Sequence, residues 1–134
     1  MKAEEKIVEA LEYVQRRGIK LTRRAVFDWC AEYRDVFNRK RYKLADSPTE
    51  CCALGALLLL HSKESLVSPE GFKEGWLKEV ANILDKPQFW VWKFIRGWDY
   101  SNELKFEGKN GKIKEDPVSK WANRLAIEYI DKRR

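Results

Sequence analysis

The sequence predicts an all-α domain of five or six helices packed around a central apolar helix, with one small β-hairpin near residues 103–115. Three observations carry that reading. Apolar residues recur three and four apart in several separate stretches, the spacing that puts them on one helix face. All four prolines stand where a helix would begin, each near a residue able to cap it. The run 51–60 is apolar throughout, as expected of a helix enclosed by others.

Taken in order, Ile7, Ala10, Leu11 and Val14 form a first stripe that ends at Gly18. Val26, Trp29, Cys30, Tyr33 and Phe37 form a second, with Thr22 as its cap. Ser47-Pro48-Thr49-Glu50 opens the enclosed helix, with Ser47 as N-cap, Pro48 in the first turn and Glu50 closing a capping box. Ser68-Pro69 opens the next, along Phe72, Trp76, Leu77, Val80, Ala81 and Leu84, although Gly71 and Gly75 weaken its first turn. Asp85-Lys86-Pro87-Gln88 opens an aromatic helix for which Gly97 is the stop signal, and Asp116-Pro117 opens the last, along Val118, Trp121, Ala122, Leu125 and Tyr129. Between Gly97 and Asp116 the helical spacing stops. There Leu104-Lys105-Phe106 and Lys112-Ile113-Lys114 alternate around Asn110-Gly111, a strong hairpin signal because a type I′ turn needs positive φ at both central residues.

A chain of 134 residues, 44% hydrophobic and 13% aromatic, is sized for one domain over 1–134 and for a core built without disulfides. The longest apolar run is too short to cross a bilayer, and the N-terminus begins an amphipathic helix rather than a signal peptide. The expectation is a cytoplasmic protein with no membrane partner. Three Cys, two of them adjacent at Cys51 and Cys52, make no disulfide framework, so reduced thiols are expected. Abundant Lys and Glu with a single Met lean towards a thermophilic source. The net charge of +6 is uneven: residues 16–43 hold ten Lys/Arg against three Asp/Glu, leaving 17 against 18 elsewhere out of totals of 27 and 21.

For chemistry, Cys52 stands near a helix start, where the dipole favours a thiolate, and its candidate partners are Asp99 and the lone His61. His61 follows nine residues later, about half a turn round and roughly 13.5 Å along a shared helix, so the two meet only if that helix ends early. A buried structural pair of cysteines is the competing reading. Zinc is disfavoured because its ligand pairs are spaced by two to four residues and these cysteines are neighbours. No P-loop, GxGxxG or GxSxG is present, so no cofactor and no metal is expected.

Two further stretches are candidate surfaces. The aromatic helix 87–98 offers Trp90, Trp92, Lys93, Arg96 and Trp98 to a protein partner if one of its faces is open. The basic segment offers Arg16, Arg17, Lys20, Arg23, Arg24, Arg39, Lys40, Arg41 and Lys43 to nucleic acid, in two clusters at either end of the expected second helix.

Cys52-Ala53-Leu54-Gly55-Ala56-Leu57 resembles the Cys-Ala-Leu-Gly-Ala-Leu motif of small uncharacterised helical proteins of bacteria and their phages. The resemblance implies that the motif opens a central helix. An Asn-Asp element, for which Trp98-Asp99 stands here, and a last helix near a proline, here Asp116-Pro117, would follow. It implies a phage or mobile-element setting and no mechanism. The sequence therefore points first to a non-enzymatic binding or accessory protein with nucleic acid as partner. The alternatives are a protein–protein module using helix 87–98 and a hydrolase or transferase using Cys52.

Overall fold

The computed structural model describes residues 1–23, 27–45, 48–61, 67–68, 71–100, 105–107 and 113–132. It is mainly helical, with several short β pieces. Helix α1 (Ala3–Arg16) buries Ala3, Ile7, Ala10, Leu11 and Val14, the stripe its spacing predicts. Gly18, at φ 77°, then turns the chain into β1 (Lys20–Leu21). A left-handed φ suits glycine, which has no Cβ to clash.

The expected second helix is β-structure instead. Residues 27 to 44 form β2 (Phe27–Asp28), β3 (Cys30–Arg34) and β4 (Lys40–Leu44). The physical reason lies in burial. A helix draws most of its stability from packing an apolar face, yet Tyr33 and Phe37 from the predicted stripe are exposed. The aromatic-rich segment gains a ladder of partners instead, with Glu32 opposite Tyr42, Tyr33 opposite Arg41 and Arg34 opposite Lys40.

The enclosed helix also starts later than predicted. Ser47 lies outside the described residues, and Glu50–Cys51 is the middle strand, β5, of a small sheet, parallel to β1 on one side and antiparallel to β2 on the other. Pairing on both edges holds these two residues extended, so α2 (Ala53–Leu60) begins after Cys52. Ala53, Leu54, Ala56, Leu57, Leu58 and Leu59 are all buried, as a run with no polar face requires.

Ser68 likewise enters a strand pair, β6 (Val67–Ser68) with β7 (Gly71–Phe72), rather than capping a helix. Pro69 lies outside the described residues, and α3 (Trp76–Leu84) starts only after Gly75, whose φ of 89° sets its entry. Helix α4 (Gln88–Tyr100) runs through Gly97 instead of ending there. Gly97 serves packing: a Cβ built on it would lie 2.0 Å from the Ser119 carbonyl oxygen of α5 (Pro117–Ala126). The predicted hairpin is present as β8 (Lys105–Glu107) antiparallel to β9 (Ile113–Glu115), while Asn110-Gly111 lies outside the described residues. Asp116 caps α5 as expected, accepting the Ser119 N–H at 3.1 Å. The helix continues as one π turn, Ile127–Asp131. Among the described residues no helix is long and apolar enough to cross a membrane.

Candidate nucleic-acid interface

The ribbon of β3 and β4 leaves both apolar and charged side chains in water. Every residue of β4 is exposed, and so are Tyr33, Val36, Phe37, Tyr42 and Leu44. Directly opposed residues of an antiparallel pair share a face, and successive residues alternate. By the observed register, Arg34, Lys40, Glu32 and Tyr42 stand on one face, and Tyr33, Arg41 and Lys43 on the other. Cations thus lie on both faces. With Arg39, the ribbon carries five Lys/Arg against two acids, Glu32 and Asp35.

The rings and cations are interleaved. Lys43 sits 5.6 Å from the Tyr33 ring centre, Lys40 6.0 Å from Tyr42 and the Arg39 guanidinium 5.0 Å from Phe37. Glu32, 3.5 Å from Lys40, together with Tyr42 holds that ammonium above its ordinary pKa, so it is charged at any physiological pH.

Asp35 organises the apex. Its carboxylate accepts the N–H groups of Phe37 and Arg39, both at 2.9 Å, and the Nε–H groups of Arg39 and Arg41 at 3.0 and 3.2 Å. The Arg39 N–H foremost, then Arg41 and Phe37, hold it below the ordinary value of 3.8. The Asn38 N–H donates to the Asp35 carbonyl at 2.9 Å, and Asn38 itself takes φ 60°, a conformation asparagine tolerates. This turn chemistry, together with the polar–apolar alternation of Arg41 to Leu44, was the signal for a hairpin that helical spacing concealed.

Only part of the predicted basic set joins the ribbon. Arg39, Lys40, Arg41 and Lys43 belong to it, while Arg16 and Arg17 close the far end of α1, where the Arg17 guanidinium donates to the Tyr13 hydroxyl at 2.6 Å. Lys20 faces Glu50 at 3.9 Å on β1. Arg23 is a structural pin, donating to the Trp98 carbonyl at 3.1 Å, Asn123 Oδ1 at 3.3 Å and Asp131 Oδ2 at 2.9 Å. Arg24 lies outside the described residues. Sequence reasoning missed Val36, Phe37, Tyr33 and Tyr42, having assigned Tyr33 and Phe37 to a buried helix face.

The aromatic helix divides similarly. Trp98, expected to face a partner, is instead 1% exposed and donates its Nε1–H to the Thr22 carbonyl at 2.9 Å, so its ring is enclosed by the fold. Trp90 is half-buried and packs on Phe94, with ring centres 6.2 Å apart. Trp92 remains exposed beside Phe89 and Tyr100, with Lys93 4.8 Å from the Phe89 ring and Arg96 5.6 Å from Trp92 and 5.2 Å from Tyr100.

The cysteine-based reading lacks the geometry it needs. Cys52 is buried at the start of α2, and burial foremost, with Asp99 adding to it against the Gly55 N–H, pushes its thiol up to about 12. Cys51 is buried and pushed up as well. His61 is the exposed C-cap at the opposite end of the same helix, so it cannot serve Cys52 as a base. An open thiol with a lowered pKa is what nucleophilic catalysis requires. Among the described residues no group of three His, Cys, Asp or Glu could hold a metal ion. No family model matches the chain, and neither does any curated protein or solved structure.

Proposed function

We propose that the chain is a non-enzymatic nucleic-acid-binding protein whose contact element is the β3–β4 ribbon. The observation that carries this reading is the ribbon's exposure of cations and rings together: five Lys/Arg on two faces, interleaved with Tyr33, Phe37 and Tyr42 in solvent. A two-stranded ribbon fits a groove of a duplex, cations neutralise phosphates, and rings stack on bases. The exposed Lys40–Glu32 pair does not oppose this, because such pairs contribute only about 0–1 kcal/mol, and Arg39 and Arg41 give Asp35 only their Nε–H groups, which leaves their terminal nitrogens for phosphate.

The test is fluorescence anisotropy of labelled nucleic acid at two salt concentrations, with the unaltered chain and with Arg39→Ala, Arg41→Ala and Lys43→Ala. Binding should weaken as salt rises, and each substitution should reduce the log–log salt slope by about 1. Absence of binding at micromolar protein, or binding indifferent to salt, overturns the reading. The exposed row of Phe89, Trp92 and Tyr100 on α4 then favours a protein partner instead, through rings of the kind that anchor interfaces.

A further inference from the structure

We infer that the apex of the ribbon is a wedge: Val36 and Phe37 enter a base step of double-stranded nucleic acid while the cations behind them hold its two phosphate walls. This rests on the nucleic-acid reading of the ribbon and adds to it the form of the ligand and the way it is deformed.

The first support is that two adjacent apolar side chains occupy a turn and face water, Val36 at 94% and Phe37 at 74% exposure. Turns favour Gly, Pro, Asn, Asp and Ser, and neither side chain adds to the buried core. The second is rigidity. Asp35 accepts four hydrogen bonds across the apex, the Asp35 N–H donates to the Arg39 carbonyl at 3.1 Å, and Arg34 reaches the Asn38 carbonyl at 3.4 Å. A pre-formed apex loses little entropy when it inserts. Proteins that kink duplexes insert apolar side chains, phenylalanine among them, between base steps.

The distribution of charge selects the ligand. Arg34 and Lys40 stand on one face of the ribbon, Arg41 and Lys43 on the other. A groove has a phosphate chain along each side and engages both faces, whereas a single strand offers one chain to one face. An anionic bilayer penetrated by the apex would hold only the cations just behind it. Lys43 lies four residues back from Arg39, about 13 Å along an extended strand, which suits a groove wall rather than a headgroup layer.

The experiment uses a short duplex carrying 2-aminopurine, whose emission rises on unstacking, with the full chain, the double variant V36S/F37S and the conservative F37L. Circular dichroism of each variant controls for folding. The unaltered chain should roughly double the emission at one or more steps by prising bases apart. V36S/F37S should bind with an unchanged salt slope and lose no more than about tenfold in affinity, since phosphate contacts supply most of the binding, yet give no emission rise. F37L should restore most of it.

Salt-dependent binding without unstacking, or unstacking that survives V36S/F37S, overturns the wedge and leaves the nucleic-acid reading standing. Tighter, Phe37-dependent binding to a single strand of the same sequence overturns it in favour of base stacking. Absence of binding to both the duplex and the single strand removes both readings, and Phe37-dependent binding to phosphatidylserine vesicles would then identify a membrane surface as the ligand.

Discussion

The ribbon and the packed body use the same residue types for opposite ends. Phe37 and Trp98 are both large aromatics, yet Trp98 is enclosed and its N–H is bonded to Thr22, while Phe37 stands in solvent. Arg23 and Arg41 come from one basic segment, yet Arg23 reaches two oxygens on the last helix and one on α4, while Arg41 makes an exposed pair with Asp35. A guanidinium with both terminal nitrogens engaged by the Trp98 carbonyl, Asn123 and Asp131 has little left to offer phosphate. Arg41 can bind it, because it gives Asp35 only its Nε–H and leaves its terminal nitrogens to water. Composition therefore located the charge, and topology decided which part of it is open.

The contrast breaks most visibly at thiols. Cys51 and Cys52 are buried, so alkylation should wait for opening of the fold and run on the order of a thousandfold or more slower than for an exposed thiol, given the usual stability of a domain. A cysteine introduced as Val36→Cys should label at once, as mass spectrometry of the adducts would show. Fast native labelling of Cys52 would restore the enzyme reading.

Gly97→Ala comes next. Its Cβ would fall 2.0 Å from a backbone oxygen that no side-chain motion can move, so α4 and α5 must part. The loss should be about 3 kcal/mol, even though alanine gains about 1 kcal/mol in helix propensity. Urea unfolding measures it, and a loss below about 1 kcal/mol would mean the seam is looser than described. Arg23→Ala should remove about 2 kcal/mol, because the Trp98 carbonyl and Asp131 lose their donor, and should leave the nucleic-acid salt slope unchanged. Arg41→Ala and Lys43→Ala should do the reverse, altering the slope while shifting stability by less than about 0.5 kcal/mol.

What was legible in the sequence follows from where burial does the work. Ile7, Ala10, Leu11 and Val14 are all buried on α1, and Asp116 caps α5, because these features depend on neighbours within one or two turns. The pairing of Lys105 to Glu107 with Ile113 to Glu115 was equally local. Residues 27–44 and 50–51 were misread because their apolar residues satisfy helical spacing and strand preference alike; the turn at Asp35–Arg39 decides for the ribbon, and long-range pairing with β1 and β2 decides for Glu50–Cys51. At the candidate site, the four lysines and arginines 39, 40, 41 and 43 were legible as charge. The apex was not, since Phe37 reads as core in any scheme that equates apolar with buried.

The smallest expected effect concerns Asp35, and it tests whether this carboxylate holds the apex. Its carboxyl is kept below the ordinary 3.8 by the N–H groups of Arg39 and Phe37 and by the Arg41 side chain. A lowered folded-state value means that the ionised form is the one the fold favours. The contribution is therefore fully present at pH above 3.8 and is lost as pH falls through the lowered value. The amide resonances of Phe37 and Arg39 should accordingly move together with one midpoint below 3.8, and in Asp35→Asn they should not respond to pH in that range. Thermal unfolding should barely change, because the ribbon's apex adds nothing to the buried core. If the two amides titrate separately, or at the ordinary value, Asp35 does not organise the apex, and the pre-formed wedge loses the constraint on which it depends.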